Sequence, residues 1–287
     1  MSSFGTAVRD VKEPVVAEMS ANNQKAAKTT DAVQAEAKQP KKKSGLAGIN
    51  KGKVKMPRRV IVYGVDGIGK STLASHAPNP IFVSTEDGLG DVDCESFPVA
   101  KSWLEVKQHL AALCNEKHGY RTLVVDSLDW LERLVWDEVC REKGVSQIDE
   151  IGYGKGYSAA IALWQDFLKA LDHLRNVKKM GIILIAHAKI VKFENPEGEN
   201  YDQYSLALHK LASPILREWA DEVLFASYKV YTKTVEGDFG KETTKAIGGN
   251  ERVMRTREKP FCYAKNRADL PDEIPMTWAD YAKCLPK

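Results

Sequence analysis

Residues 61–72 contain the pattern that most constrains the fold of this chain. The segment reads Ile-Val-Tyr-Gly-Val-Asp-Gly-Ile-Gly-Lys-Ser-Thr and fits the spacing G-x-x-x-x-G-K-S/T from Gly64 to Ser71. A β-branched run precedes it and a helix-compatible run follows, which is the strand–loop–helix context that the pattern requires. Glycines let backbone N–H groups converge on phosphate oxygens, and a helix beginning at Lys70 directs its positive dipole end at them. The sequence therefore predicts a nucleotide phosphate site in an α/β fold.

The whole loop is expected to bind the phosphates of ATP. Its residues are Gly64, Val65, Asp66, Gly67, Ile68, Gly69, Lys70, Ser71 and Thr72. Lys70 is expected to reach the β- and γ-phosphates, and the Ser71 hydroxyl is expected to coordinate Mg²⁺. A chance glycine turn is the alternative for the bare pattern, but the flanking strand and helix favour the nucleotide site.

Two carboxylates further along the chain are expected to join this loop. Residues 122–126 form an apolar run that ends in Asp126, which predicts a strand beside the loop's own strand and a carboxylate that holds the Mg²⁺ shell through water. Ser127 follows Asp126, where many ATPases carry a glutamate. Glu86, after a predicted strand at 81–85, is therefore predicted to orient and deprotonate the attacking water. An exposed loop carboxylate is the alternative for Glu86.

Three further side chains are predicted to act at the γ-phosphate. His187 follows an apolar strand predicted at 181–186 and is expected to sense that phosphate through a hydrogen bond; a structural histidine is the alternative. Lys265 and Arg267 are two positions apart on a predicted short strand, so their side chains share a face and could reach phosphate. In a ring or filament they would reach the nucleotide of the neighbouring subunit, as a finger in trans.

The first 56 residues differ in composition from the rest of the chain. They are rich in Ala, Lys, Gln, Glu, Ser, Thr and Asn and poor in large apolar residues, which predicts a disordered arm at 1–56 before a folded domain at 57–287. Between Glu36 and Asp66 the chain has no acidic residue but many cations: Lys38, Lys41, Lys42, Lys43, Lys51, Lys53, Lys55, Arg58 and Arg59. Such a block either contacts phosphate backbones or serves as a solubilising tail.

Composition narrows the class of protein. With 287 residues, 43% of them hydrophobic, the chain can form one large domain or two small ones. No run approaches the ~18 apolar residues of a membrane span, and no signal-peptide block begins the chain, so a cytoplasmic protein without a membrane partner is expected. The five cysteines are widely spaced, which indicates neither a zinc site nor a disulfide framework.

The remaining pattern alternates predicted helices and strands. Helices are expected at 101–117 and 128–142, and a third, capped by Ser158, to about 177; residues 151–157 are expected to form a mobile loop or a turn that packs its tyrosines. Residues 189–193 and 203–206 predict a hairpin, residues 221–231 and 252–256 predict strands, and the polar segment 232–250 predicts a loop.

The order of these motifs resembles the RecA-like branch of P-loop ATPases, and most closely the compact bacteriophage AAA-family ATP-binding proteins that include single-strand annealing recombinases. The residues that carry the resemblance are GVDGIGKST, a strand-end Glu, LVVDS, a strand ending in His and a terminal K-x-R. It implies a mostly parallel central sheet flanked by helices, with antiparallel C-terminal strands. It also implies ATP-dependent binding of single-stranded DNA through the loops at about 144–157 and 189–206. RecA itself has glutamine at the position of His187 and lacks this N-terminal arm, so the resemblance does not by itself imply DNA-strand exchange.

Three functions remain open at this point. The first is an ATPase of DNA recombination or repair that oligomerises on single strands and promotes annealing, with a single-strand-binding protein as a further candidate partner. The second is a ring-forming motor or clock-type ATPase. The third is a small-molecule kinase, for which the only lid arginines near 232–257 are Arg252, Arg255 and Arg257. The first is favoured, and for a phage-encoded chain the host cytoplasm is the expected location.

Overall fold

The computed structural model describes residues 46, 49, 52, 55–236 and 242–286, without the side chains of 230–248. Residues Val54–Lys287 form one unit, and that unit is described below. The arm predicted at 1–56 lies almost wholly outside the described residues and stays a prediction.

Strands and helices alternate through the first part of the unit, as the sequence pattern predicts. In chain order the elements are β1 (Arg59–Gly64), α1 (Lys70–Ser75), β2 (Pro80–Ser84), β3 (Glu95–Ser96), α2 (Trp103–Asn115), β4 (Thr122–Asp126), α3 (Leu128–Lys143), a 3₁₀ turn (Ile148–Ile151), α4 (Lys155–Asn176), β5 (Gly181–Phe193), β6 (Tyr201–Leu206), α5 (Ala212–Trp219), β7 (Glu222–Glu236), β8 (Glu242–Arg255), β9 (Lys265–Asn266), β10 (Glu273–Pro275) and α6 (Trp278–Cys284).

The described strands form one sheet in the order β10-β8-β7-β1-β5-β4-β2-β3, with β6 paired to β5 and β9 paired to β7. The six strands from β7 to β3 in that order run parallel, whereas β6, β8, β9 and β10 pair antiparallel. This arrangement confirms the predicted α/β class, a mostly parallel sheet flanked by helices with antiparallel C-terminal strands.

The position of β4 differs from the sequence prediction. The strand that ends in Asp126 was expected beside the loop's own strand, but β5 lies between them: Val60 pairs with Ile183, and Val124 pairs with Ile183 from the other side. β4 and residues 182–186 of β5 are continuous apolar runs buried on both faces. The hydrophobic pattern alone does not indicate which of two such strands lies next to β1. The order of the strands across the sheet could therefore not be predicted from the sequence.

Alternating strand residues divide the core between the two faces of the sheet. Ile61 and Tyr63 pack with the buried faces of α2, α3 and α4, whereas Val60 and Val62 pack with Leu73 of α1 and with α6 residues on the opposite side. Helices on both faces explain why the central strands contain almost no polar residue before their ends. The polar groups that matter chemically are therefore confined to the two edges where the strands begin and end.

Three local predictions were wrong. Within the segment 232–250, residues 232–236 and 242–250 are strand rather than loop, and β7 pairs with β8 from Thr232 with Ala246 to Glu236 with Glu242. The segment has four threonines and one valine but lacks the apolar alternation that signals a strand. Ser158 does not cap a helix, because α4 begins earlier, after Gly154 in the left-handed conformation.

The third error is the end of β5, which does not stop at Ala186. His187 pairs with Gly64 as the last contact with β1, and Ala188 begins the antiparallel pairing with β6. The hairpin predicted from 189–193 and 203–206 is confirmed, but it is continuous with the central strand.

Among the described residues, no helix is long and apolar enough to cross a membrane.

Candidate functional site

The phosphate loop connects β1 to α1 at the carboxyl edge of the parallel strands. It begins at Gly64, where a Cβ would collide with the carbonyl group of Ala226 on β7, and it ends at Gly69, which has a φ of 99° and precedes Lys70 at the start of α1. A side chain at Gly69 would also lie 2.5 Å from Arg252 Nη1. The two glycines are therefore required by close approach and by backbone conformation.

Lys70 is buried at the centre of this loop. Its Nζ donates hydrogen bonds to the carbonyl oxygens of Gly64 (3.2 Å) and Val65 (2.9 Å). Burial lowers the pKa of Lys70, although the nearby carboxylates of Asp66 and Asp126 oppose that shift. An ammonium group that two loop carbonyls hold at the centre of the loop fits a site that receives anionic phosphate oxygens.

Ser71 and Asp126 are brought into direct contact. The Ser71 hydroxyl donates a 2.6 Å hydrogen bond to Asp126 Oδ2, across the fifty-five positions that separate them in sequence. Burial raises the pKa of Asp126, and the hydrogen bond from Ser71 and the charge of Lys70 only partly offset it. The negative charge of Asp126 is therefore not fully balanced by its neighbours. Its carboxylate and the Ser71 hydroxyl together offer oxygen ligands that suit a hard cation such as Mg²⁺.

Thr85 fastens the end of β2 to the end of β4. Its backbone N–H donates to the Asp126 carbonyl (2.8 Å), and its hydroxyl donates to the Ser127 carbonyl (2.8 Å) and accepts from the Ser127 N–H (3.1 Å). This double attachment places Glu86, the next residue, at the same edge as Asp126. The sequence signal for Thr85 would have been a polar residue at the end of an apolar strand.

Glu86 is half-buried in this corner. Burial raises the pKa of its carboxyl group, the charge of Asp126 adds to the effect, and His187 opposes it. The raised pKa makes Glu86 a stronger base than an exposed glutamate, as a proton acceptor for water requires. Its proximity to Asp126 and His187 brings the three predicted residues to one edge.

His187 is held between the phosphate loop and α3. Its Nδ1 lies 2.9 Å from Asp129 Oδ2, its backbone N–H donates to Asp129 Oδ1 (3.1 Å), and its Nε2 lies 3.5 Å from Asp66 Oδ1. The hydrogen bond to Asp129 raises the pKa of His187. Burial opposes ionisation of Asp129, but the hydrogen bonds from His187 outweigh it and lower its pKa.

Asp129 is a residue of the candidate site that sequence reasoning missed. It lies in the first turn of α3, three positions after Asp126, where the strand-end motif has already ended. The sequence feature that could have indicated Asp129 is a second carboxylate so soon after the one that ends the strand. The carboxylate of Asp129 contacts both the imidazole and the backbone N–H of His187, and these contacts depend on β5 lying next to β4.

Lys265 and Arg267 lie at the opposite edge of the sheet from the other predicted site residues of the same chain. Lys265 pairs with Val223 near the start of β7, which is the amino edge of the parallel strands. Its Nζ donates to the carbonyls of Arg217 (2.7 Å), Glu218 (2.8 Å) and Ala220 (2.7 Å) at the end of α5. Arg267 lies just past β9, so the pair does not share the predicted strand. Action in trans stays a prediction.

Comparison with known proteins agrees with the geometry of the loop. A family model described as an AAA domain matches residues 56–268, which include the phosphate loop, Asp126, Glu86 and His187. The chain belongs to this AAA-domain family of P-loop ATPases. The match confirms the predicted P-loop ATPase class.

One curated relative of this AAA domain comes from a prophage. The SPbeta prophage-derived uncharacterized protein YorG of Bacillus subtilis (strain 168) is 23% identical over 175 residues, a stretch that covers 58% of this chain. The aligned stretch spans half of the relative's length. The chain is therefore similar to part of a prophage-derived protein.

Proposed function

We propose that this AAA domain binds ATP with Mg²⁺, hydrolyses it, and uses the cycle to act on single-stranded DNA in recombination or repair, promoting annealing as a homo-oligomer. The observation that carries the hydrolytic part is the Ser71–Asp126 hydrogen bond of 2.6 Å, with Glu86 and His187 at the same edge. A hydroxyl, a carboxylate, a base and an imidazole converge where the γ-phosphate of a nucleotide on the loop would lie.

Each group has a distinct part in hydrolysis. The loop N–H groups and Lys70 bind phosphate oxygens, while Ser71 and Asp126 would hold Mg²⁺, which neutralises charge on those oxygens when bound. Glu86 accepts the proton of the attacking water, and its raised pKa makes that transfer more favourable. Fixed donors in a partly buried site stabilise the charge that develops on the phosphoryl group.

His187 connects the γ-phosphate to the proposed DNA-binding segments. Its Nε2 faces Asp66 at 3.5 Å, and Asp129 holds the opposite side of the ring. A γ-phosphate that replaced Asp66 as the partner would shift the balance of contacts at this ring. Because β5 continues through His187 to Phe193, such a shift reaches residues 189–193 along one strand and reaches β6 through the pairing of the hairpin.

Exposed aromatic and basic residues support the DNA part of the proposal. Tyr153 is fully exposed in the turn before α4, and the exposed Lys155 begins that helix. Aromatic rings stack on bases of any sequence, and cations follow the backbone, so this pair suits single strands. Lys192 lies on the β5–β6 hairpin, but Glu194 and Glu197 follow at its tip, which favours contact near the base of the hairpin.

The kinase alternative receives less support. A lid would need arginines free to close over phosphate, whereas Arg255 pairs with Glu273 at 2.7 Å and Arg257 pairs with Asp269 at 2.9 Å. Both lie at or after the end of a hairpin rather than in a separate lid. A ring-forming motor remains compatible with the same hydrolytic residues, and DNA-dependent activity separates it from the favoured function.

The test of the DNA part is the steady-state rate of phosphate release with and without single-stranded DNA. We expect DNA to raise the rate of the wild-type protein, and we expect the Tyr153→Ala, Lys155→Ala double variant to lose the stimulation while its basal rate is unchanged. Lys169→Ala, an exposed lysine further along α4, is the matched control. A wild-type rate that does not respond to single strands, in a protein that hydrolyses ATP, would reject action on DNA.

The test of the shared-site arrangement mixes two inactive variants. Lys265 caps α5, so Arg267→Ala is the cleaner finger variant. We expect Arg267→Ala to bind ATP and hydrolyse it poorly, and mixing it with Lys70→Ala to restore activity at junctions that combine an intact loop with an intact arginine. Activity no greater than the sum of the parts, with co-assembly shown by light scattering, would exclude a finger in trans.

A further inference from the structure

Arg252 contacts the phosphate loop from the side opposite the catalytic groups. It lies on β8, yet its Nη1 donates a 3.1 Å hydrogen bond to the carbonyl of Ile68, 184 positions earlier. The same nitrogen lies against Gly69, where a Cβ would come within 2.5 Å. The guanidinium group therefore fixes the part of the loop that immediately precedes Lys70.

Tyr228 lies next to Arg252 on the same face of the sheet. The two residues are cross-strand partners in the β7–β8 ladder, so their side chains point to one side. Two residues earlier on β7, Ala226 belongs to the core face that also contains Ile68 and Leu73 of the loop and α1. Tyr228 is 44% exposed, which leaves much of its ring accessible at this edge.

The strand order indicates which end of the nucleotide faces these residues. Ser71 with Asp126 marks the β- and γ-phosphate end, and Asp126, Glu86 and His187 all belong to the β5–β4–β2 side of β1. The strands on the other side of β1 are β7 and β8. Gly64 pairs with Ala226, so Tyr228 extends the sheet about 7 Å past the start of the loop.

We propose that Tyr228 and Arg252 form the binding site for the nucleoside end of ATP. The Tyr228 ring stacks on the base, and Arg252 is a positioning residue that holds the Ile68 carbonyl so that the neighbouring loop N–H groups face the phosphates. The inference rests on the nucleotide site of the proposed function and adds the residues that recognise its base. Stacking tolerates any base but is stronger for purines, which have the larger ring system.

The experiment compares the binding of ATP with that of inorganic tripolyphosphate, which offers the phosphates without a nucleoside. Isothermal titration calorimetry on the full chain is expected to show that Tyr228→Ala weakens ATP binding about five- to a hundredfold and leaves tripolyphosphate binding unchanged. Tyr228→Phe keeps the ring and should bind ATP as the wild type does. Phe261→Ala, an aromatic residue of similar exposure (43%), is the control and should change neither affinity.

Arg252→Ala is expected to weaken the binding of both ligands, because the loop itself loses a support, and Arg252→Lys should recover part of that loss. Unchanged ATP affinity in Tyr228→Ala, or an equal loss for tripolyphosphate, would overturn the stacking site. Unchanged tripolyphosphate affinity in Arg252→Ala would overturn the positioning role. Wild-type protein that bound neither ligand would reject the nucleotide site of the proposed function and this inference with it.

Discussion

Charged side chains gather at both edges of the parallel sheet, but they are balanced in different ways. At the amino edge Asp221 accepts hydrogen bonds from Arg59 through Nη2 (2.9 Å), Nε (3.2 Å) and the backbone N–H (3.1 Å). Arg267 and Arg175 lie 3.3 and 3.7 Å from the same carboxylate. Burial opposes ionisation of Asp221, but the hydrogen bonds from Arg59 outweigh it and lower its pKa.

At the carboxyl edge the carboxylates outnumber the cations that could compensate them. Burial raises the pKa of Asp126 and of Glu86; the charge of Asp129 adds to the shift of Asp126, and the charge of Asp126 adds to the shift of Glu86. Lys70 is the nearby cation, and burial lowers its own pKa. The comparison teaches that clustered charge alone does not mark a site: the amino edge is an internally neutralised network, whereas the carboxyl edge gains from added cations.

The largest expected effect comes from substitutions at the carboxyl edge of the sheet. Lys70→Ala should lose both ATP binding and hydrolysis, because no other buried cation lies in the described loop. Glu86→Gln should keep ATP binding and lower turnover about 10²- to 10⁴-fold, as expected for the loss of a general base. Nucleotide titration and phosphate release measure the two effects. Normal turnover in Glu86→Gln would remove Glu86 from the site.

The next largest effect comes from removing the charge of Asp221 at the amino edge of the sheet. Asp221→Asn leaves several arginines without their carboxylate and should lower the free energy of unfolding by about 3–5 kcal/mol, with the ATP affinity of the remaining folded protein unchanged. Urea unfolding and nucleotide titration measure the two quantities. Asp166→Asn, in an exposed pair with Lys169, is the control and should cost less than about 1 kcal/mol. A loss of ATP affinity in Asp221→Asn without destabilisation would contradict the structural role of this edge.

A third effect concerns a buried carboxylate close to the carboxyl edge. Glu132 of α3 accepts a bifurcated hydrogen bond from the His209 N–H, 3.0 Å to Oε1 and 2.8 Å to Oε2, yet burial raises its pKa from 4.5 to about 7. Because the folded-state pKa is the higher one, the folded protein binds the extra proton, and stability falls as pH rises through this interval.

Glu132→Gln removes that titration. Between pH 5 and pH 8 the wild type should therefore lose about 1–3 kcal/mol more in the free energy of unfolding than the variant does. Urea unfolding at the two pH values measures the difference. Glu142→Gln, an exposed carboxylate on the same helix, serves as the control. A pH dependence that is identical in Glu132→Gln and the wild type would contradict the raised pKa.

The smallest effect sharpens the comparison at His187. Asp129→Asn removes the carboxylate that raises the pKa of His187, so the pKa should fall and the protonated ring should be lost at lower pH. If the charged ring contacts the γ-phosphate, the alkaline limb of the pH–rate profile moves to lower pH and turnover falls a few-fold to about tenfold. A profile that keeps its position while turnover falls would assign Asp129 to structure alone.

The sequence by itself determined the loop, the strands that precede the functional residues and the chemical type of each group. Gly64 to Ser71 is a contiguous pattern whose geometry follows from local backbone preferences, and Asp126 and Glu86 stand at or just past the ends of apolar runs. Residues at the ends of parallel strands must meet at one edge, so their convergence could be anticipated without coordinates. Local periodicity reports these features because each depends on a few neighbouring residues.

Only the tertiary structure decided how the strands are ordered across the sheet and which side chains cross between them. It inserted β5 between β1 and β4, set Asp129 against His187, and brought Arg252 to the loop over 184 positions. It also placed Lys265 at the amino edge, where it caps a helix. The physical reason is that periodicity records how deeply a segment is buried, whereas its neighbours are chosen by packing between segments that are distant in the chain.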